Sequence, residues 1–252
     1  MHQGLNVPNA AAVKPLVVAL HGWGMSAQVW QPLVQRSAAY FDWLLLDLPG
    51  YGVTSSTSSD DFNSAVQELA DRIPENAILM GWSLGGLLAQ AIAVYAPAKI
   101  QRLVLVNSAP CFIQKADWPY GLSPELLSQF AESLIADPQA TVLRFLSLQV
   151  HGSQYAATTL KHLRACQPSK LPPASVLQAG MRWLAEIDLR QQFAAIRCPV
   201  SMLFGRLDTI VRPQLLAASK QVRSRIDTHL FDKAAHVPFL SHPEDFLQVL
   251  CA

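Results

Sequence analysis

No apolar run in the 252 residues approaches the roughly 18 that a helix needs to cross a bilayer, although 51% of the chain is hydrophobic and the mean hydropathy is +0.21. Excess charge of either sign is missing too. Nineteen basic residues against 18 acidic ones give +1, which offers no global field for nucleic acid or an anionic membrane. Cysteine is scarce: Cys111, Cys166, Cys198 and Cys251 are widely scattered, with no CxxC pair and no Cys/His ligand spacing. Free thiols are expected, not a disulfide framework or a zinc site. Met1 to Asn6 have neither the basic n-region nor the apolar h-region of a secretory signal, so a cytoplasmic location is the expectation. What remains is a chain long enough for one large domain with an insertion and too short for two ordinary enzyme domains and a linker.

Strand-length apolar runs alternate with longer helix-like stretches. Strands are predicted at Leu16 to Leu20, Trp43 to Leu46, Ala77 to Met80, Leu103 to Val106, Val200 to Phe204 and Thr228 to Phe231. Helices are predicted at Ser64 to Arg72, Leu84 to Tyr95, Pro213 to Val222 and Pro243 to Leu250. Fully apolar strands of this kind suit a parallel sheet buried on both faces, and the alternation is that of a doubly wound α/β fold. Between about Cys111 and Leu184 strand-like runs disappear while helical periodicity continues, at Pro124 to Ile135, Thr141 to Val150, Tyr155 to Cys166 and Ser175 to Leu184. Residues 111–184 therefore read as a helical lid inserted in a core made of 1–110 and 185–252. Pro168, Pro172 and Pro173 break the lid into a two-part helical hairpin. Ser55 to Ser59 is a short polar loop.

The chemistry concentrates at three places. Gly81-Trp82-Ser83-Leu84-Gly85 matches G-x-S-x-G, a pattern common by chance but informative directly after a strand and directly before a helix. There the turn is sharp enough to lift a serine hydroxyl above the sheet, and small neighbours are required on both sides. A serine hydroxyl is a poor nucleophile at neutral pH and needs a base, with a third group to fix the base's tautomer. Asp208, after the strand Val200 to Phe204, and His236, after the strand Thr228 to Phe231, supply them in the order Ser, Asp, His. His21-Gly22-Trp23-Gly24 follows the first strand. Backbone N–H groups of Trp23 and Leu84 are the candidates for holding a tetrahedral oxyanion. His229, His242, His2, His151 and His162 are weaker bases by position, Asp188, Asp227 and Asp232 read as surface or capping residues, and Asp47 is expected to brace a loop.

Taken together, the HGWG loop, DLPGYG, GWSLGG, GRLD and the KAAHVPFLSHPEDF tail resemble the α/β-hydrolase superfamily across nearly the whole chain. Trp82, Ser108 to Phe112, Trp118-Pro119, Arg144 to Gln149, Asp188 to Arg190 and Lys233 to His236 resemble, more narrowly, the pimeloyl-[acyl-carrier protein] methyl ester esterase family of biotin biosynthesis. The resemblance implies an α/β-hydrolase fold with a mostly parallel sheet and a serine carboxylesterase that releases methanol from a pimeloyl chain carried on acyl carrier protein. It implies no cofactor and no metal. Trp23, Ser83, Leu84, Phe145, Leu146, Ser147, Leu148, Gln149 and His236 would contact substrate, and Arg144, Lys161 and Arg164 would meet the acidic carrier. Ala140 and Ala157 stand where the family pattern has further arginines. A monomer that binds neither nucleic acid nor membrane is expected. The residues alone leave open a broad short-chain carboxylesterase, a carbon–carbon bond hydrolase and a hydrolase-fold binding protein with poor turnover.

Overall fold

A computed structural model describes residues 13–52 and 60–252; Met1 to Asn6, including His2, and the polar stretch Ser55 to Ser59 lie outside the described residues. Six parallel strands, β1 (Leu16–Leu20), β2 (Asp42–Leu46), β3 (Ala77–Trp82), β4 (Ile100–Val106), β5 (Val200–Gly205) and β6 (Asp227–Phe231), form one sheet in the order β2-β1-β3-β4-β5-β6. All six residues of β3 are buried, while the edge strands β2 and β6 each begin exposed and become fully buried only at their last residue. That gradient follows from helices covering the centre of a parallel sheet on both faces, which demands continuous apolar runs there and less at the margins. The chain runs from β1 outward to β2 and then returns to the other side of β1 with β3. The topological switch point therefore lies between the C-terminal ends of β1 and β3, where open α/β sheets build their sites.

Eleven α-helices are found among the described residues: α1 (Gln31–Ser37), α2 (Phe62–Arg72), α3 (Leu84–Tyr95), α4 (Pro124–Ala136), α5 (Pro138–Val150), α6 (Ala156–Ala165), α7 (Ala174–Glu186), α8 (Arg190–Ala194), α9 (Gln214–Val222), α10 (Pro238–Ser241) and α11 (Pro243–Cys251). Two groups flank the sheet, with α2, α3, α8 and α9 in successive contact and α1, α10 and α11 together. In α2 the buried residues Phe62, Ala65, Val66, Leu69 and Ala70 follow the spacing of one helical face. It starts two residues before the predicted Ser64 because the Asp61 carboxylate accepts the Ser64 N–H at 2.7 Å. Helix α3 carries no charged residue and is buried nearly all round, as a helix sandwiched against the sheet must be. The short helices α1, α8 and α10, of seven, five and four residues, were not predicted; too few turns exist to show a period.

Helices α4 to α7 fill the stretch between β4 and β5, close to the predicted bounds. Their pairing corrects the expected two-part hairpin, because α7 packs on α4 while α5 sits between α4 and α6. The eight residues from Cys166 to Pro173, free of helix, carry the chain back across the group. Residues 111–123 are likewise not helical. Isolated bridges join Ile113 to Leu122, Lys115 to Trp118 and Cys111 to Asp188, each too short for an alternating pattern to register in the sequence.

Asp188 is more than a surface residue. Partial burial works to raise its carboxyl pKa, but hydrogen bonds from Arg190 and Lys115 outweigh it and hold the carboxyl well below the usual carboxylate range. Lys115 Nζ lies 2.7 Å away, and Arg190 also reaches Asp117 at 2.8 Å while lying over the Trp118 ring. The clasp ties the segment after β4 to the start of α8. Among the described residues no helix is long and apolar enough to cross a membrane.

Candidate active site

Ser83 closes β3 and opens α3 with φ 54° and ψ −119°, a backbone conformation that costs about 1–3 kcal/mol for a residue with a side chain. The surroundings over-determine it. Its N–H donates to the Val106 carbonyl at 3.0 Å, and its carbonyl accepts from the Gly86 and Leu87 amides and from the Ser108 hydroxyl at 2.9 Å. The turn closes against the end of β1 only because Gly85 lacks a side chain: a Cβ there would stand 2.6 Å from the Leu20 carbonyl oxygen and still closer to that of His21.

Asp208 follows β5 and His236 follows β6, and the two side chains meet with no exposed surface. Asp208 Oδ2 accepts from His236 Nδ1 at 2.6 Å and from Asn107 Nδ2 at 2.5 Å, while Oδ1 accepts from the amides of Ile210 at 2.8 Å and Val211 at 3.0 Å. All four partners are donors, a set that two acceptor-only carboxylate oxygens satisfy. With Nδ1 turned to Asp208, His236 presents Nε2. That nitrogen is buried without a hydrogen-bond partner, so no bond to Ser83 Oγ is made in this state. The structure links the pair to the serine through Trp82, whose indole N–H donates to the His236 carbonyl at 2.9 Å. The His236 amide in turn donates to the Gln149 carbonyl on α5 at 2.9 Å.

The Trp23 and Leu84 backbone amides have no protein acceptor among the described residues. Trp23 is fully buried, with its indole N–H on the Leu177 carbonyl of α7 at 2.8 Å and its ring edge-to-face with Phe145. Helix α7 comes this close because residue 180 is glycine. A Cβ there would stand 2.8 Å from Trp23 Cδ1 and 3.0 Å from Leu84 Cδ2.

His21, before Trp23, is also buried. Its Nε2 accepts the Leu48 amide at 3.1 Å and its Nδ1 faces the Gly22 carbonyl at 2.8 Å, which joins the two loops after β1 and β2. Asp47 braces the same junction by accepting the Ala27 amide at 2.7 Å. Burial pushes the His21 pKa below its ordinary 6.5, against the opposing Gly22 carbonyl and Asp47 carboxylate; the Tyr51 ring packs beside it. The sign follows directly: the unfolded chain takes up a proton as pH falls through about 6.5, the folded imidazole does not, and stability is lost until pH passes the depressed folded value. Thermal unfolding measured from about pH 8 to about pH 5 should therefore show a Tm loss that is smaller in His21→Asn than in wild type. An equal slope in both would remove His21 from the acid response.

Ser83 opens into a cavity of about 260 Å3 roofed by α4, α5 and α7. Phe145, Leu148 and Arg144 of α5 line it, with Phe130 opposite and Thr209 and Ile210 beside the acid loop. The expected run Phe145 to Gln149 is thus split by helical geometry: Leu146 does not line the cavity, and Ser147 is exposed, returning its hydroxyl to the Leu143 carbonyl at 3.0 Å. Gln149 is buried with neither side-chain amide atom partnered. Arg144 is exposed and its guanidinium lies 5.6 Å from the Phe130 ring centre. Lys161 and Arg164 are exposed on α6, and none of the three cations forms an ion pair among the described residues. Ala140 lies in the first turn of α5 and Ala157 in that of α6.

His229 lies in β6, His162 is exposed on α6, His151 ends α5 and His242 pairs with the Ser241 hydroxyl; none lines the Ser83 cavity. Sequence reasoning missed Asn107, Gly180 and Thr209. Asn107 follows β4 directly, one strand away from Asp208, and is held at φ 43°.

The alpha/beta hydrolase family matches residues 17–249. The chain is 39% identical over 237 residues to the pimeloyl-[acyl-carrier protein] methyl ester esterase of Klebsiella pneumoniae subsp. pneumoniae, covering 94% of this chain and 92% of that one. It is 41% identical to the protein of that name from Cronobacter sakazakii, over 94% and 91% of the two chains. An esterase from Exiguobacterium antarcticum superposes with a TM-score of 0.86 at 19% identity, covering 94% of this chain and 90% of its own, a likeness of fold alone. From the parallel sheet, the strained serine turn at its switch point and these full-length matches, the chain belongs to the alpha/beta hydrolase family.

Proposed function

We propose that the protein is a serine carboxylesterase that hydrolyses the methyl ester of pimeloyl-[acyl-carrier protein], a step of biotin biosynthesis. The observation that carries this reading is the roughly 40% identity, over nearly the full length of both chains, to esterases of that name. In it Ser83 Oγ attacks the ester carbonyl and His236 Nε2 takes the hydroxyl proton. The same proton passes to the leaving methoxide, so methanol departs and an acyl-serine remains. Water, deprotonated by His236, then attacks the acyl carbonyl; the carboxylate product leaves and the proton returns to Ser83. Asp208 fixes the histidine's tautomer and orientation. The Trp23 and Leu84 amides, free of protein acceptors, stabilise the oxyanion at each tetrahedral stage.

Residues 111–184 act as a lid whose helices shape the acyl cavity, with Phe145 and Leu148 against the chain. Arg144 lines the cavity and is exposed, and Lys161 and Arg164 are exposed on α6, which packs against α5; in this reading the three cations meet the acidic carrier. Rim charges of this kind act mainly on encounter.

Comparing kcat/KM for the carrier-bound methyl ester with that for a free short-chain methyl ester tests the reading. A strong preference for the carrier-bound ester is expected, and Lys161→Glu with Arg164→Glu should lower it by about tenfold or more while sparing the free ester. Fast cleavage of the free ester alone would leave a general carboxylesterase.

A further inference from the structure

We propose that Leu127 of α4 and Met181 of α7 are specificity-determining residues: they close the Ser83 cavity against a second apolar cavity that would otherwise accept the alkyl tail of free fatty esters. This rests on the reading of Ser83 as the nucleophile.

The second cavity, of about 320 Å3, lies between α4 and α7 and is lined by Ile113, Pro124, Ala131, Ile135 and Ala185, with Arg182 at its polar side. Leu127 and Met181 are the two residues common to its lining and that of the Ser83 cavity. Both are buried and both are apolar, so the two residues shared by the cavities bring no polar group that would bar a hydrocarbon. The Ser83 cavity thus has two sides of different chemistry. One carries Arg144, an exposed cation over an aromatic ring, which suits a chain that continues into a polar, carrier-attached arm. The other carries Leu127 and Met181, which also line the second, apolar cavity. A methylene gains about fourfold in binding when buried, so an open annex would favour linear fatty esters over the carrier-bound substrate. The partition removes that advantage.

The test uses the full-length protein and free methyl esters of linear monocarboxylic acids of increasing length, beside the carrier-bound methyl ester. Met181→Ala should raise kcat/KM for the longer free esters relative to that for the shortest ester by about tenfold or more. Ala131→Phe in the Met181→Ala background fills the annex and should return the long-ester rate to the wild-type value. Leu127→Val makes the same opening with one carbon removed and replaces Met181→Ala should that variant not fold. An unchanged length profile in a folded variant overturns the proposal, as does a gain that Ala131→Phe leaves intact, since enlargement of the Ser83 cavity alone would then explain it. Ser83→Ala run on the same esters separates the two readings. Residual activity in that variant would defeat the nucleophile assignment, whereas full loss with an unmoved profile defeats only the partition.

Discussion

Ser83→Ala is expected to lower kcat for ester hydrolysis by about ten-thousandfold to a millionfold, His236→Ala by a similar factor, and the double variant scarcely further. The reason lies in the order of events at the elbow. Without Oγ there is nothing to acylate, so the proton that His236 would accept is never offered; without His236, Oγ keeps its proton and attacks no faster than an alcohol in water. Each residue is useful only in the other's presence, which is why the losses do not add. In this reading the residual rate would come from the Trp23 and Leu84 amides, which have no protein acceptor among the described residues, and from the cavity, which would still bind the ester beside water. The backbone at Ser83 is held by Val106, Gly86, Leu87 and Ser108 rather than by its own hydroxyl, so the alanine variant should fold and its Tm should stay close to wild type. Steady-state kinetics with circular dichroism on the same preparation checks both halves. Ser83→Ala retaining even a tenth of wild-type activity would move the nucleophile elsewhere.

Ser83, Asp208 and His236 could be singled out in the sequence as candidates because each sits just beyond a strand, and an apolar strand ending in glycine or a polar residue can be read locally. Helix α3 was predicted to its end residues for the same reason, an uncharged run opened by the elbow. Asn107 and Gly180 were not legible as site residues. Asn107 reaches Asp208 across 101 positions of chain, and what makes Gly180 necessary is the approach of α7 to Trp23 and Leu84. Such contacts depend on how strands are ordered and helices crossed, which no local pattern carries. The pairing of α7 with α4 has the same origin: periodicity gives each helix an apolar face without saying which neighbour covers it. Phe145 to Gln149 shows the converse error. A contiguous motif was carried over whole, and a helix with 3.6 residues per turn can present only some of it to one cavity.

Asp208→Asn should cost about ten-thousandfold in kcat at neutral pH with little change in KM, although it replaces a single oxygen by an isosteric amide. Every hydrogen bond to Asp208 comes from a donor: His236 and Asn107 on Oδ2, the Ile210 and Val211 amides on Oδ1. An asparagine must point its NH2 at one of these pairs. Turned to Oδ1, it faces two backbone amides that cannot rotate away, and it leaves them unpaired in a buried site at a cost of about 1–3 kcal/mol for each. Turned to Oδ2, it meets His236 Nδ1, which can become an acceptor by moving its proton to Nε2. The second arrangement is the cheaper one, and it is the inactive one: an imidazole protonated at Nε2 has no lone pair to take the Ser83 proton. The variant should therefore fold, with a modest fall in Tm from the displaced Asn107 amide, and should still bind the ester. Nitrogen NMR of the His236 ring would show Nδ1 unprotonated, and kcat would fall with it. A loss of less than about a hundredfold with the tautomer exchanged would mean that the position of the His236 proton does not limit the reaction.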